Sequence, residues 1–381
     1  MLEVINVPFN FKNQNYLFFN EILETPLTKV KNKKVLIIRF SSIGDIVLTL
    51  PVVRYVKQQL KCEIHFLTKK SFESLIISNP QLDKIYSINK KVSEVLPQLK
   101  LEKYDAIIDL HKNLRTLRIR WALRIPYYSF DKLNFEKWLM VNFKINRLPK
   151  IPIVERYLEA LRPLILELGS NRVEAEISGL IKEEYEDDFN GLLNPKNKLA
   201  DLEIKFPELK NFFLLFGNNW IVFAIGGAHA TKRLPLLKLI SICSKIKTPI
   251  ILIGGKEDAT IGEEIVLSIN DNRVVDMCGK TTLQESIQLV NSAKKIITHD
   301  TGMMHIAASL KKEIISIWGN TIPEFGMAPF YEDGIDRNTI LQVENLSCRP
   351  CSKIGFEKCP KGHFRCMLEI DEDKVVGIVD F

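Results

Sequence analysis

The residues best suited to chemistry sit where apolar runs give way to small or polar ones. Asp300-Thr301-Gly302-Met303-Met304-His305 follows the apolar run 295–298 and opens a small-residue helix at Ile306-Ala307-Ala308. A strand that turns straight into a helix leaves backbone N–H groups beside the positive end of the helix dipole, a place that suits a phosphate. Gly226-Gly227-Ala228-His229-Ala230-Thr231-Lys232-Arg233 stands at another strand end. There the glycines permit close approach of a ligand, and Thr231, Lys232 and Arg233 offer a hydroxyl and two cations to a diphosphate; the alternative is a solvated loop. Gly254-Gly255-Lys256-Glu257 repeats the arrangement one unit later. Glu257 is either a carboxylate for ribose hydroxyls or a helix-start acid favoured by the dipole.

Three further groups matter. Ser41-Ser42-Ile43-Gly44-Asp45 directly follows the first apolar run. Asp45 at a strand end can serve as general base toward an incoming hydroxyl, or Asp45 or Ser42 can cap the next helix; on residue types alone the cap is favoured. Lys112, Arg115 and Arg118 fall on one face at helical spacing, an electropositive strip for an anionic acceptor or a solvated surface. Cys348, Cys351, Cys359 and Cys366, with His363 nearby, can hold a structural zinc, pack as reduced thiols or form a disulfide. No Gly-x-Gly-x-x-Gly or Gly-x-x-x-x-Gly-Lys-Ser/Thr occurs, which disfavours a dinucleotide dehydrogenase or a P-loop enzyme.

The elements that must position these residues are strands in two series. Runs at 35–40, 63–67, 84–88 and 105–110 are separated by helix-length segments, and so are runs at 220–225, 249–253, 273–276, 295–298 and 313–318. Both series predict βαβ units with parallel sheets. Between them the chain turns acidic at 183–188 and Lys/Asn-rich at 194–198, which predicts a crossover. Two tandem α/β domains bind ligand at the carboxyl ends of their strands, in the cleft between them. The expected division is an N-terminal extension 1–32, a first Rossmann-like domain 33–190, a crossover 191–218, a second domain 219–345, and a Cys-rich tail 346–381 packing back on the first domain.

A length of 381 residues suits two domains, and 46% hydrophobic with 26% charged residues is ordinary for globular proteins. The formal charge of +7 favours an anionic partner without choosing a phosphorylated substrate, an acidic membrane or nucleic acid. No apolar run reaches the ~20 residues of a membrane span, and residues 1–6 lack a signal-peptide pattern, so a cytoplasmic protein is expected.

The stretch 34–51, Lys-Val-Leu-Ile-Ile-Arg-Phe-Ser-Ser-Ile-Gly-Asp-Ile-Val-Leu-Thr-Leu-Pro, together with Asp300-Thr301-Gly302-Met303-Met304-His305-Ile306-Ala307-Ala308, closely resembles the lipopolysaccharide heptosyltransferases of glycosyltransferase family 9. The resemblance runs from about residue 33 to about residue 370 and takes in the Cys348-Arg349-Pro350-Cys351 tail. It implies a GT-B fold: two Rossmann-like domains with parallel sheets facing a central cleft, acceptor on the first and nucleotide sugar on the second. It also implies inverting, metal-independent transfer of a heptose from an ADP-sugar to an anionic, lipid-linked saccharide, with no cofactor required. Asp45 then becomes the base and Lys232 its catalytic partner. Gly226, Gly227, Thr231, Lys232, Glu257, Asp300, Thr301, Gly302, Met303 and His305 become the donor site. Arg39, Ser41, Ser42, Lys112, Arg115 and Arg118 become the acceptor side. A monomer, peripheral to the inner membrane and touching it transiently, is expected. The rival readings are a nucleotide-sugar epimerase of the same architecture, which needs no acceptor, and a zinc- or nucleic-acid-binding module, which leaves the Asp45 and Asp300 turns unexplained.

Overall fold

The computed structural model describes residues 33–167, 192 and 198–380. The extension 1–32 and the acidic run 183–188 lie outside the described residues.

Five strands form the first sheet: β1 (Lys34–Ile38), β2 (Glu63–Lys69), β3 (Lys84–Ile88), β4 (Ala106–Asp109) and β5 (Tyr127–Tyr128). They lie parallel in the order β3-β2-β1-β4-β5. Six strands form the second: β6 (Ile221–Ala224), β7 (Ile250–Ile253), β8 (Val274–Asp276), β9 (Lys295–His299), β10 (Glu313–Trp318) and β11 (Asn338–Gln342). These too are parallel, in the order β11-β10-β9-β6-β7-β8.

Helices cover both faces of each sheet. Val35 and Ile37 of β1 join one core while Leu36 and Ile38 join another, and in β6 Ile221 and Phe223 separate in the same way from Val222 and Ala224. A strand buried on both sides reads as an unbroken apolar run, which is how these strands are written. The order reverses between β1 and β4 and between β6 and β9. Each reversal opens a crevice at the strand carboxyl ends.

Two parts of the expected division differ in detail. The stretch 191–218 is not bare linker: the Leu199–Lys205 and Pro207–Phe216 helices place Leu202, Leu209 and Phe212 in a core of the second sheet beside Trp220. The tail does not simply return to the first domain. Cys366, Met367, Ile370, Val375 and Val379 bury themselves in the second sheet's other core. They pack on the Leu236–Lys245 helix, sharing a core with its Leu239, Ile242 and Cys243, and Lys238 Nζ donates to Ile370 O at 2.7 Å. Among the described residues a short piece of tail meets the first domain, where Lys144 Nζ donates to Pro350 O at 2.6 Å and Lys353 Nζ reaches Asn134 Oδ1 at 3.4 Å.

Candidate active site

The chain leaves β1 through Arg39 and Phe40 and enters the short Ile43–Val47 helix. Asp45 sits in its first turn. Its Oδ2 accepts from Ser42 N at 2.9 Å and Ser42 Oγ at 2.8 Å, and its Oδ1 pairs with Arg39 Nη2. The capping geometry is therefore present. Burial alone would raise the Asp45 pKa, yet the Arg39 charge and the Ser42 hydrogen bonds outweigh it and hold the carboxyl below its ordinary value. Asp45 is thus ionised at neutral pH. A carboxylate has about four lone-pair sites, so both oxygens keep room to accept a proton.

Opposite stands the Gly302–Ser309 helix, which follows β9. Its N-cap Thr301 is extended and makes no side-chain cap, since its hydroxyl lies 3.3 Å from that of Thr298. Among the described residues the first-turn amides have no side-chain cap. Lys232 Nζ reaches Asp300 Oδ2 at 2.6 Å, and Thr321 Oγ1 donates to the same oxygen at 2.7 Å. His299 ties the strand ends together: Leu234 N donates to its Nε2 at 3.0 Å, which leaves Nδ1 to donate to Gly226 O at 3.3 Å. Burial pushes the His299 and His305 imidazoles down to about 4, so both are neutral. Among the described residues His305 Nδ1 is buried without a hydrogen-bond partner.

The two short helices meet at their first turns. A Cβ on Gly302 would lie 2.6 Å from Ile43 Cγ2, and one on Gly44 would collide with the His305 ring. Between them opens a cleft of about 500 Å³. Asp45, Ser42, Gly226, Gly227, Lys232, Glu257, Asp300, Thr301, Gly302, Met303 and His305 all line it. A larger hollow of about 720 Å³ beside Phe212 and Val266 gathers none of these residues.

Several expected residues fall elsewhere. Thr231 is buried and faces the tail, where its Oγ1 accepts from Phe356 N at 2.8 Å and donates to Phe356 O at 3.1 Å. Its hydroxyl is spent on anchoring the loop and does not reach the cleft. Arg39 is also internal, donating to Ser41 O at 3.0 Å and to Leu110 O and lying 3.2 Å from Tyr157 Oη. It positions Asp45 rather than meeting an acceptor. Ser41 and Lys112 are off the cleft as well, Lys112 Nζ donating to Phe130 O at 3.0 Å. Arg115 and Arg118 lie exposed on the Leu114–Leu123 helix, outside the cleft lining.

The cleft also holds residues the sequence reading missed. Asp258, next to Glu257, is the carboxylate built into the glycine loops: its Oδ2 accepts from Gly255 N at 2.8 Å and its Oδ1 pairs with Arg233 Nη1 at 3.1 Å. A Cβ on Gly254 would lie 2.8 Å from Asp258 Cβ, which is why glycine stands there. On the first-domain side, outside the cleft lining, Lys137 feels the Asp45 charge while Lys132 stands near Arg39 and Asp109. Burial lowers the pKa of both, Lys137 to about 8, with Arg156 and Lys353 adding repulsion at Lys137. Neither lysine forms an ion pair among the described residues. No spacing signal marks them, because Lys353 arrives from the tail only through the fold.

The cysteine cluster does not close on a ligand geometry. Cys348 Sγ lies 3.8 Å from His363 Nε2, but among the described residues no three of these groups offer ligand atoms within 4.8 Å of one another. Glu63, His65 and Glu102 do. That trio is engaged already, His65 Nε2 lying 2.7 Å from Glu63 and Glu102 holding Lys34 and Lys84 at 2.6 Å each.

Two parallel α/β domains with one cleft at their facing switch points define a GT-B protein. A model of glycosyltransferase family 9 (heptosyltransferase) matches residues 92–358, and the chain belongs to that family of glycosyltransferases. Lipopolysaccharide heptosyltransferase 1 of Campylobacter coli is 24% identical over 366 residues, covering 91% of this chain and 98% of that protein. Among solved structures, a glycosyl transferase family 9 protein from Veillonella parvula superposes with a TM-score of 0.64 at 19% identity, covering 91% and 95% of the two chains. E. coli heptosyltransferase WaaC with ADP gives 0.56 at 16% identity, covering 91% and 99%.

Proposed function

We propose that the protein transfers a heptose, with inversion, from an ADP-sugar to an anionic, lipid-linked core saccharide in lipopolysaccharide synthesis. The observation that carries this reading is the meeting of the Ile43–Val47 and Gly302–Ser309 helices, which sets an ionised Asp45 across one cleft from an uncapped helix N-terminus. The relatives' names supply the sugar and the acceptor class, and the ADP bound by WaaC supplies the nucleotide.

In this mechanism Asp45 accepts the proton of an acceptor hydroxyl as that oxygen attacks the anomeric carbon from the face opposite the diphosphate. The C–O bond to the diphosphate breaks and its electron pair leaves with ADP. Lys232 and the first-turn amides from Thr301 to Met303 stabilise that growing charge as pre-placed donors. Glu257 takes the ribose hydroxyls. Lys132, Lys137 and Lys353 hold the acceptor's negative groups near Asp45. The protein works peripherally at the inner face of the inner membrane, and no helix of the described residues is long and apolar enough to cross it.

The test is transfer followed by mass spectrometry, with ADP-heptose and a delipidated core acceptor. A product heavier by one heptose is expected, with release of ADP. Conversion of donor in the absence of acceptor would point to epimerisation and overturn the reading.

A further inference from the structure

The Asn134–Phe143 helix has no buried residue. Phe135, Trp138 and Phe143 are 60%, 50% and 59% exposed, and Ile145 just beyond is 46% exposed. The rings touch one another rather than a core, Phe135 and Trp138 stacking at 6.1 Å and Trp138 meeting Phe143 edge-on at 5.2 Å. Yet the helix is held in place. Lys144 Nζ donates to Pro350 O at 2.6 Å, and Lys353 Nζ reaches Asn134 Oδ1 at 3.4 Å. Its polar edge clasps the tail while its aromatic side faces out.

An exposed aromatic cluster of this kind marks a docking surface. Its charge says which. Between 134 and 150 the cations Lys137, Lys144, Arg147 and Lys150 stand against a single acid, Glu136. A second copy of the chain would bring the same cations against themselves, a like-charge juxtaposition that opposes pairing. Aromatic rings that sit at headgroup depth, flanked by Lys and Arg, match an anionic lipid surface.

We propose that the Asn134–Phe143 helix, with Ile145 and the cations up to Lys150, docks the protein onto an anionic lipid bilayer. This deepens the function proposed above and rests on it only for the acceptor being lipid-linked. Because Lys137 lies on the same helix and feels the Asp45 charge, docking brings the bilayer surface to the acceptor side of the cleft.

The experiment is cosedimentation of the full chain with vesicles of phosphatidylethanolamine and phosphatidylglycerol, against phosphatidylcholine alone, without donor or acceptor. Binding to the anionic vesicles is expected, weakened at about 0.5 M salt by screening. Phe135→Ser/Trp138→Ser/Phe143→Ser should lower partitioning by about tenfold or more, since the burial of three aromatic side chains is lost. Ile204→Ser, an exposed apolar site elsewhere, should leave partitioning unchanged. The triple variant should keep its melting temperature and its transfer to a delipidated acceptor, which separates lost docking from lost folding or lost chemistry. Absence of binding to anionic vesicles, or equal binding by the triple variant, overturns the proposal. So does a concentration-dependent dimer that the triple variant dissolves while vesicle binding is absent. None of these outcomes touches the cleft reading, which soluble substrates test.

Discussion

Gly44 carries no side chain because the His305 ring occupies the space a Cβ would need. The reciprocal contact is Gly302 on Ile43, where a Cβ would lie 2.6 Å from Ile43 Cγ2. Ile43 and Met303 pack on one shared core with Ile46 and Ile306, so the two domains meet through the turns that carry Asp45 and Thr301. Rigid helices hold reacting groups better than loops do, and here both elements are packed helices.

Gly44→Ala therefore sets two effects against each other. Alanine favours a helix by ~1 kcal/mol over glycine, whereas forcing a methyl into the His305 ring costs about 1–3 kcal/mol. The domains can relieve the clash by parting, so the cost falls on catalysis rather than on folding. A kcat/KM lower by about 10- to 100-fold with little change in melting temperature is expected. Activity equal to the parent's would show that the contact does not set the working geometry.

Asp45→Asn keeps the shape and removes the proposed base. Turnover should drop by roughly 10² to 10⁴ while calorimetric ADP affinity stays near that of the parent. The change also leaves the buried Arg39 without its carboxylate, so a lower urea midpoint should accompany it. Arg39 acts through Asp45, and Arg39→Met should move the acid limb of the kcat profile to higher pH by freeing the Asp45 pKa to rise.

Lys232 and Asp300 behave as a unit. Lys232→Ala removes the proposed charge-assisted contact to the diphosphate, of the class that contributes ~1.5–3 kcal/mol, so ADP should bind about 10- to 100-fold more weakly. Asp300 orients the ammonium at 2.6 Å, and a double variant with Asp300→Asn should lose little beyond the single one. Fully additive losses measured by calorimetry would separate the two roles.

Acceptor binding should weaken as the medium turns alkaline. With Lys137 lowered to about 8, its charge is present below that pH and lost above it. The acceptor KM should rise from pH 7.5 to about 9 while the donor KM holds, and Lys137→Met should flatten that rise while raising KM at pH 7.5. Lys137→Arg should restore a low KM across the range. A parent profile that stays flat would remove Lys137 from the acceptor side.

The sheets were legible where burial on both faces writes an unbroken apolar run. β10 occupies the residues so read, β3 does too although only Tyr86 and Ile88 of it are buried, and the others differ by a residue or two at their ends. β5 was hidden because it is only Tyr127 and Tyr128, and β11 because Leu341 alone of its residues is buried. The cleft turns were legible for the same reason that a strand-to-helix junction is: Asp45, Lys232 and Asp300 all follow a strand end. Which of two neighbouring acids turns inward was not. Glu257 and Asp258 have the same chemistry, and only backbone direction sends Asp258 to Gly255 N and Arg233. Thr231 was misjudged because its partner, Phe356, lies in the tail, beyond any local pattern.

Stability should fall as pH falls from about 6.5 toward 4, a window that opens above the range where carboxylates titrate. His299 and His305 are buried neutral with pKa values of about 4, against an ordinary value near 6.5 in the unfolded chain. Between those values the unfolded chain binds protons that the folded chain refuses, so acid favours unfolding there. Above about 6.5 both states are neutral and the effect vanishes. At pH 5 each imidazole should cost about 2 kcal/mol relative to pH 7.5. Asp45 acts in a separate window: its lowered pKa contributes stability that is lost only as pH falls below the ordinary carboxylate range. Urea midpoints at pH 7.5 and 5 should therefore differ in the parent, and by visibly less in His305→Gln, which keeps a polar side chain of similar reach without a titrating ring. His299→Gln is the poorer variant to use, because it breaks the bonds to Leu234 and Gly226 as well. An unchanged pH slope in His305→Gln would mean that the ring takes up its proton as readily in the folded protein as in the unfolded chain, and would place a cation beside Gly44 at pH 5 where a neutral ring is expected.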